Sequence, residues 1–206
     1  MSDNGLAIDA SHLSRRYGRR WAVADVSFQL PRGKVMMLAG RNGSGKTTLL
    51  RMLSTAIRPD GGRAIVGGFD VVKQKEEVRQ HSALLSHYTY LYESLTAREN
   101  LSLISNDNEE VLRRVGMLAR ADDPVATFSA GMRKRVSFAR VLLQKPEIAF
   151  LDEPFGQLDP EGFALVEDVV AELKASSATV IIATHQVDRV ARFADIRLGL
   201  ENGRIA

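Results

Sequence analysis

Cysteine is absent from the 206 residues of the sequence. Its absence excludes disulfide bridges, zinc sites built on thiolates and thiol nucleophiles. Long apolar runs are absent as well: stretches such as Val35–Ala39 have the length of a β-strand, far short of the roughly 18 residues of a membrane-spanning helix. We therefore predict no transmembrane segment and expect any role at a membrane to depend on a partner protein.

Signals for export are missing too. Residues 1–10 include Asp3 and Asp9 and no apolar stretch, so the sequence predicts neither a signal peptide nor a transit peptide. With 45% hydrophobic and 26% charged residues, the composition is that of a globular protein and excludes disorder and coiled coil. We expect one cytoplasmic domain and, because the chain ends soon after Arg204, no added regulatory domain.

Neither sign of charge predominates, since the sequence has 28 Lys and Arg residues and 25 Asp and Glu residues, which give a net charge of +3. Only clustered charge makes a surface that binds nucleic acid or anionic membranes. The densest basic clusters are Arg15, Arg16, Arg19 and Arg20, followed by Arg133, Lys134 and Arg135. We interpret both clusters as solvated or as neighbours of a phosphate site, and we expect no nucleic-acid partner.

Short apolar runs alternate with longer helix-like stretches, which is typical of strands joined by crossover helices in a mainly parallel sheet. The sequence therefore predicts an α/β fold. The predicted strands are Ala22–Leu30, Lys34–Ala39, Ile148–Leu151 and Thr179–Ala183. Because the second of these is apolar almost throughout, we expect it to be buried on both faces.

Two regions show helical patterning. Apolar residues recur at helical spacing in Lys46–Ile57, which stops before a Pro-Asp-Gly-Gly turn. Residues 90–145 lack strand alternation and contain the helical stretch Arg133–Leu143. We interpret residues 90–145 as a small helical lobe inserted into the sheet domain.

A glycine-rich loop joins the second predicted strand to the first predicted helix. Its sequence, Gly40-Arg41-Asn42-Gly43-Ser44-Gly45-Lys46-Thr47, fits the phosphate-binding pattern G-x-x-x-x-G-K-[ST]. The glycines let successive backbone N–H groups and the helix N-terminus point at phosphate oxygens. Lys46 adds a cation, and the Thr47 hydroxyl is placed to bind Mg²⁺. The alternative is a structural glycine turn before a helix.

Two adjacent acids, Asp152 and Glu153, follow the apolar strand Ile148–Leu151. Carboxylates at the carboxyl end of a strand lie where open α/β sheets bind their ligands. Asp152 can hold Mg²⁺, and Glu153 can take a proton from an attacking water. Together with the phosphate loop, this pair predicts phosphoryl transfer.

Phe128-Ser129-Ala130-Gly131-Met132 opens the helical stretch Arg133–Leu143. Ser129 can be a plain helix N-cap. A helix N-terminus behind Ser129-Ala130-Gly131 is also a binding site for an anion. Since Lys46 already serves one phosphate site, a second such site is best explained if it closes over the nucleotide of another subunit.

These motifs, in this order, resemble the ATP-binding cassette family over nearly the whole chain. Residues 128–132 resemble the LSGGQ signature, Gln157-Leu158-Asp159 the D-loop and Thr184-His185 the switch histidine, while Tyr17 stands where the family has an aromatic that stacks on adenine. Taken alone, Tyr17 could serve packing and His185 could be a buried core histidine. The resemblance favours a functional role for both.

The resemblance implies a P-loop ATPase in which residues 1–206 form a single nucleotide-binding domain. Its expected architecture is a mainly parallel, RecA-like sheet core, an antiparallel N-terminal β part and the inserted helical lobe. A head-to-tail homodimer would hold two ATP molecules between its subunits. The expected triphosphate ligands are Gly40, Arg41, Asn42, Gly43, Ser44, Gly45, Lys46, Thr47 and Thr48, with Ser129, Ala130 and Gly131 of the other subunit.

The resemblance also implies roles for individual side chains. Thr47 and Asp152 would surround Mg²⁺, Glu153 would activate water, His185 would bind the γ-phosphate and Asp159 would couple the two sites. This is the expected machinery of an enzyme that hydrolyses ATP.

The sequence departs from the family pattern at three positions. Ala130 and Met132 replace glycine and glutamine of the signature, and His87 stands where the family has a glutamine. A neutral imidazole can orient water or a Mg²⁺ shell, but without the geometry of an amide. We therefore expect the chain to hydrolyse ATP and His87 to act at the catalytic site.

The segment from His87 to Asn100, together with a length near 200 residues, further resembles the ATP-binding subunit of the haem exporter of cytochrome c maturation. That resemblance implies export across the cytoplasmic membrane, transmembrane permease subunits as partners and a peripheral location on the inner face. A groove near His87 between sheet domain and helical lobe would receive a helix of the permease.

Two other functions are compatible with the motifs. One is a non-transport cassette ATPase, although such proteins usually carry two cassettes or a long coiled-coil insertion. The other is a regulatory nucleotide-binding module with little hydrolysis, which His87 and Met132 would allow. The intact set of Lys46, Asp152, Glu153 and His185 argues against it.

Overall fold

The computed structural model describes residues 5–86 and 88–206. The chain divides into two compact units, the first holding residues 5–86, 146–154 and 172–206, and the second holding residues 88–145 and 155–171. The described strands are β1 (Leu6–Tyr17), β2 (Arg20–Pro31), β3 (Val35–Ala39), β4 (Gly61–Val66), β5 (Phe69–Asp70), β6 (Ser82–Leu85), β7 (Ile148–Asp152), β8 (Thr179–Thr184), β9 (Ile196–Glu201) and β10 (Arg204–Ile205).

The helices are distributed over both units. They are α1 (Lys46–Leu53), α2 (Lys75–His81), α3 (Ala97–Ser102), α4 (Glu109–Arg114), α5 (Ala130–Gln144), α6 (Pro160–Ala175) and α7 (Val187–Ala191). Helix α6 begins in the second unit and ends in the first. Among the described residues, no helix combines the length and the apolar character needed to span a bilayer.

Two sheets form the first unit. Strands β2-β1-β4-β5 make an antiparallel sheet, and β10-β9-β3-β8-β7-β6 make a second sheet in which only β10 is antiparallel to its neighbour. In this second sheet, Ala39 pairs with Thr184 and Asp152 pairs with Ala183. The carboxyl ends of β3, β8 and β7 therefore lie side by side.

The core of the first unit lies between the sheets and α1. Strands β3, β7 and β8 are buried at every position, as expected for parallel strands covered on both faces. Leu49, Leu50 and Leu53 of α1 have no exposed surface and pack into the cluster that contains Phe150. Each such side chain contributes about 2 kcal/mol on burial, so the packing of α1 fixes the loop that precedes it.

Helices dominate the second unit. Helices α3 and α4 pack against α5, and two 3-10 turns, Leu118–Arg120 and Val125–Thr127, precede α5. A capping box starts α3, because the Thr96 side chain accepts from the Glu99 N–H and the Glu99 carboxylate accepts from the Thr96 N–H. This unit includes residues 155–171 in addition to the segment interpreted from sequence as a lobe.

The predicted α/β class, with a mainly parallel sheet and an antiparallel N-terminal part, is confirmed. The main difference is that α1 ends at Leu53 and not at Ile57. Thr55 has a left-handed backbone with φ of 62°, and this turn stops the helix despite the apolar periodicity that continues to Ile57. Helix α5 starts three residues before the predicted Arg133 because Ser129 caps it.

Candidate nucleotide-binding site

The phosphate loop runs from the end of β3 to the start of α1. Gly45 has φ of 108°, and a Cβ atom on it would lie 2.2 Å from the carbonyl oxygen of Ala22. A Cβ atom on Gly40 would lie 2.4 Å from the carbonyl oxygen of Leu200. Only glycine fits these two positions, so the loop can curl tightly around the N-terminus of α1. That N-terminus directs unbonded backbone N–H groups toward an anion.

Lys46 is the first residue of α1 and is 5% exposed. Its Nζ donates to the carbonyl oxygens of Gly40 at 2.7 Å and Arg41 at 3.2 Å. The same atom lies 3.7 Å from Oε1 of Glu153. The ammonium is thus held above the loop by the loop's own backbone, where it can neutralise phosphate charge.

Thr47 and Asp152 form the predicted Mg²⁺ pair. The Thr47 Oγ1 donates to Oδ1 of Asp152 at 3.1 Å, and Asp152 is 2% exposed at the end of β7. Hydroxyl and carboxylate oxygens suit Mg²⁺, which is usually bound by one or two protein groups plus phosphates and water. Within residues 5–86 and 88–206, no cluster of three or more His, Asp or Glu side chains could hold a metal by itself. The Mg²⁺ role of Thr47 and Asp152 stays a prediction.

Glu153 follows Asp152 with a left-handed backbone, φ 46°, and its N–H donates to the carbonyl oxygen of Ala183. Its Oε2 lies 2.9 Å from Nδ1 of His185 and accepts from the Thr184 hydroxyl at 3.4 Å. Thr184 at the end of β8 and His185 directly after it therefore orient one carboxylate oxygen, while Oε1 faces Lys46. This arrangement places a proton acceptor beside the phosphate loop.

Tyr17 ends β1 and is 48% exposed. It lines a depression of about 430 Å³ together with residues of the phosphate loop and Glu153. The guanidinium of Arg15 lies over the Tyr17 ring, 5.3 Å from its centroid, and donates to Asp60 at 2.7 Å. The aromatic ring is thus supported at the rim of the depression.

The sequence left Arg15 and Arg20 as either solvated or neighbours of a phosphate site, and the structure places both beside Tyr17. Arg20 lines the same depression, and Arg15 supports the ring. The signal for Arg15 was present, because residues two apart in a strand share a face. The signal for Arg20 was the pairing of hairpin ends, since Arg20 lies opposite Tyr17.

The predicted signature residues lie in the second unit. Ser129 caps α5 by accepting from the N–H of Met132 at 3.2 Å, which fits the plain N-cap interpretation and leaves the anion-binding role as a prediction. Ser129 and Ala130 are exposed. A Cβ atom on Gly131 would lie 2.9 Å from the carbonyl oxygen of Gln157, so the start of α5 is in close contact with the segment after β7.

Asp159 lies in the second unit too, directly before α6. Its Oδ1 accepts from the N–H of Gly162 and from the guanidinium of Arg135, both at 2.8 Å. The backbone N–H of Gly162, aided by Arg135, holds the pKa of Asp159 below its ordinary value. The carboxylate therefore stays ionised and caps α6.

The second basic cluster, which the sequence predicted to be solvated or next to a phosphate site, makes contacts within its own unit. Lys134 is buried and donates to the carbonyl oxygen of Gly156, and Arg133 donates to the carbonyl oxygen of Phe128. Arg135 pairs with Asp159. These cations bind parts of their own unit because α5 directs them inward.

The structure assembles the predicted residues in two places. The first unit brings together Tyr17, residues 40–48, Asp152, Glu153 and His185. Ser129, Ala130, Gly131 and Asp159 belong to the second unit. His87 lies outside the described residues, and its catalytic role stays a prediction.

Comparison with known proteins agrees with this geometry. The sequence model of the family described as ABC transporter matches residues 23–156. The daunorubicin resistance ATP-binding protein DrrA3 of Streptomyces coeruleorubidus is 36% identical over 216 residues, which cover 100% of this chain and 68% of that protein. The linearmycin resistance ATP-binding protein LnrL of Bacillus subtilis is 32% identical over 204 residues, which cover 94% and 65%.

A solved structure of an ATP-binding subunit of an ABC transporter superposes with a TM-score of 0.88 at 28% identity, covering 97% of this chain and 88% of that one. The chain spans about two thirds of the length of the two resistance proteins.

Proposed function

The chain belongs to the ABC transporter family, and on that premise we propose that it hydrolyses ATP as one half of a head-to-tail dimer that drives separate permease subunits. ATP hydrolysis coupled to transport is the activity of the family. The observation that carries the proposal is the convergence of Lys46 at the start of α1 with Asp152 and Glu153 at the carboxyl end of β7.

Each group has a task in this mechanism. The loop N–H groups and Lys46 bind the β- and γ-phosphates, and Tyr17 stacks on the base at the rim. Bound Mg²⁺, held by Thr47 and Asp152, would supply neutralisation of the charge that develops on the phosphates. Glu153 accepts the proton of the attacking water as the bond between the γ-phosphorus and its bridging oxygen breaks.

His185 also takes part in this step, next to Glu153. Its Nδ1 faces Glu153 Oε2, so Nε2 is the ring nitrogen that remains to face an oxygen of the γ-phosphate. The contact with Glu153 fixes the orientation of the imidazole as well as that of the carboxylate. Both groups then act on the same transferred phosphoryl group.

A second copy of the chain completes the site. Ser129, Ala130 and Gly131 of that copy would meet the γ-phosphate through the N-terminus of α5, and the exposure of Ser129 and Ala130 supports this role. Two ATP molecules would thus hold the dimer together. Their hydrolysis would release it.

We propose that the transported compound belongs to the antibiotic class. Support comes from the relatives, whose names describe daunorubicin resistance and linearmycin resistance. The permease partners would hold the chain at the inner face of the cell membrane. Transport direction would be outward, as resistance requires.

Haem is a second candidate cargo, from the resemblance of the segment between His87 and Asn100 to the haem exporter. The relatives described above give this finer assignment no support. An ATPase assay on the assembled transporter distinguishes the two candidates. Stimulation by daunorubicin and not by haem supports an antibiotic cargo, and stimulation by haem and not by daunorubicin supports a haem cargo. Non-transport and weakly hydrolysing alternatives predict stimulation by neither.

The experiment that tests ATP hydrolysis by the proposed dimer compares the purified chain with its Glu153→Gln variant. Loss of the base should reduce kcat by about 10²-fold or more, without change in ATP affinity. The variant should also accumulate with Mg²⁺-ATP as a species of twice the 22.7 kDa chain mass in size-exclusion chromatography with light scattering.

Glu147→Gln is the matched control, because Glu147 lies just before β7, at the end of the strand opposite to Glu153, and pairs with His81. It should hydrolyse ATP like the parent. Normal turnover by Glu153→Gln would show that Glu153 is not the base. A folded parent that neither binds ATP nor dimerises would disprove the proposed ATPase dimer.

A further inference from the structure

One face of the Tyr17 ring is covered by a cation that is itself held in place. The guanidinium carbon of Arg15 lies over the ring, 5.3 Å from its centroid. Nη1 of the same side chain donates to Oδ1 of Asp60 at 2.7 Å and to the carbonyl oxygen of Arg58 at 3.1 Å. Because the guanidinium is planar and rigid, these two acceptors restrict its orientation over the ring. We call Arg15 and Asp60 the tyrosine clamp.

Asp60 binds the strand as well as the side chain of the clamp. Its Oδ2 accepts from the N–H of Arg16 at 2.9 Å, and its own N–H donates to the carbonyl oxygen of Ser14 at 2.9 Å. The N–H of Arg16, aided by the Arg15 guanidinium, holds the pKa of Asp60 below its ordinary value. The ionised carboxylate therefore anchors both the backbone directly before Tyr17 and the cation over its ring.

The clamp leaves the opposite face of the Tyr17 ring for a ligand. Tyr17 is 48% exposed and lines the depression beside the phosphate loop, whereas neither Arg15 nor Asp60 lines it. An exposed side chain that only its ligand immobilises lowers affinity, because its rotamer entropy is lost on binding. Contacts with the clamp restrict the ring in advance, so this loss is smaller.

The charge of Arg15 also favours stacking. The faces of aromatic rings carry partial negative charge, so two rings stacked directly face to face repel each other electrostatically. A guanidinium over one face of Tyr17 attracts that charge. A purine on the other face therefore meets less repulsion than it would on an isolated phenol ring.

We propose that Arg15 and Asp60 are positioning residues that prepare Tyr17 to stack on the base of ATP. This inference rests on the proposed function, in which Tyr17 is the side chain that binds the base. The clamp increases the part of the affinity that comes from the base and leaves the part that comes from the phosphates unchanged. Both residues act through the ring.

The test separates the base from the phosphates. Isothermal titration calorimetry measures the Kd of the full chain for ATP and for inorganic tripolyphosphate, which has three phosphates and no base. EDTA is present, so that ATP is not hydrolysed during the titration. The variants are Arg15→Gln, Arg15→Lys and Asp60→Asn, with Arg63→Gln as the matched control. Arg63 lies in the same antiparallel sheet, on β4, and pairs with Asp70.

We expect Arg15→Gln to raise the Kd for ATP about fivefold, through the lost cation and the less restricted ring. The Kd for tripolyphosphate should stay within about twofold of the parent value. Asp60→Asn should weaken ATP binding less, because the guanidinium keeps its contact with Arg58. In assays with Mg²⁺, Arg15→Gln should raise KM and not lower kcat, as expected when an interaction is equal in the ground state and the transition state.

A double-mutant cycle with Tyr17→Ala shows whether Arg15 acts through the ring. Tyr17→Ala alone should raise the Kd for ATP about tenfold or more, because stacking on the base is lost. Arg15→Gln should have no further effect in that background. The Tm of every variant is measured, and Arg15→Lys, which keeps a cation near the ring and should recover part of the affinity, provides the test if Arg15→Gln does not fold.

Equal losses of affinity for ATP and for tripolyphosphate would overturn the inference, because they would show that Arg15 acts on phosphate charge. The same loss with and without the Tyr17 ring would overturn it too, as would an ATP Kd for Arg15→Gln equal to that of Arg63→Gln. If Tyr17→Ala binds ATP like the parent, the stacking role of Tyr17 is wrong and the inference fails with it. A folded parent that binds neither ligand would contradict the proposed function as a whole.

Discussion

Single residues decide the shape of the phosphate loop. Gly45 combines a backbone conformation with φ of 108° and a neighbouring carbonyl oxygen 2.2 Å from the position of a Cβ atom. Either feature alone disfavours other amino acids, and together they exclude them. The curl of the loop around the N-terminus of α1 thus depends on the absence of one methyl group.

Gly45→Ala tests this directly. We expect it to lower the free energy of unfolding by about 2 kcal/mol or more, and to abolish ATP binding because the loop must open to admit the methyl group. Gly68→Ala is the control, since Gly68 also has a positive φ, 94°, but no atom within 4 Å of its Cβ position. Urea unfolding and ATP titration measure both effects. Equal losses in the two variants would show that steric contact at Gly45 is unimportant.

The sequence predicted which residues meet at the site better than it predicted their conformations. Lys46, Asp152 and Glu153 were located by motif and strand position, because the carboxyl ends of neighbouring parallel strands share an edge. The left-handed backbone of Glu153 was not predicted, since it depends on the hydrogen bond from its N–H to Ala183, a residue of another strand. Local patterns carry no information on such a long-range contact.

Between elements, Asp195 joins the start of β3 to the start of β9. Its Oδ2 accepts from the N–H of Val35, its N–H donates to the Val35 carbonyl oxygen, and its Oδ1 accepts from Nζ of Lys174 near the end of α6. The Val35 N–H and the Lys174 ammonium lower the pKa of Asp195. The ionised carboxylate is therefore the form that stabilises the folded chain.

The lowered pKa of Asp195 predicts how the stability of the fold changes at acid pH. A carboxyl group with a lowered pKa in the folded state adds stability above its pKa in the unfolded chain, and that stability is lost as the pH falls through the folded-state pKa. Asp195→Asn should lower Tm at neutral pH and lose less Tm than the parent between about pH 7 and pH 3.

Lys174→Met should alter the loss of Tm at acid pH less than Asp195→Asn does, because the stronger contact of Asp195 with Val35 remains. Thermal unfolding across the pH range measures all three proteins. Parallel Tm curves for the parent and Asp195→Asn would contradict the assignment.

Element boundaries illustrate what a sequence leaves undetermined. The apolar periodicity of α1 continues to Ile57, but the left-handed turn at Thr55 ends the helix at Leu53. Arg79 helps to hold that turn by donating to the side chain and the carbonyl oxygen of Thr55. The contact joins residues 24 positions apart, so no local pattern predicts it.

For the whole chain, Mg²⁺-ATP should act as a stabilising ligand. ATP at about 100 times its Kd should add about 2.7 kcal/mol to the free energy of unfolding and raise Tm by several degrees. Removal of Mg²⁺ with EDTA should reduce this shift. Asp152→Asn should lose the part that EDTA removes and keep the rest, because Asp152 serves the metal while Lys46 serves the phosphates.

Asp188→Asn, an exposed change in the first turn of α7, is the control and should respond like the parent. Differential scanning fluorimetry with ATP, with and without EDTA, measures the shifts. An unchanged EDTA-sensitive shift in Asp152→Asn would place the metal elsewhere.

The contacts of Lys46 also affect the free energy of ATP binding. Its ammonium donates to the carbonyl oxygens of Gly40 and Arg41, so contacts within the chain hold the loop in its curled conformation. Because these contacts already restrict the conformations of the loop, ATP binding has to restrict them less. Lys46 therefore stabilises the loop that surrounds it, in addition to its proposed role as a phosphate ligand.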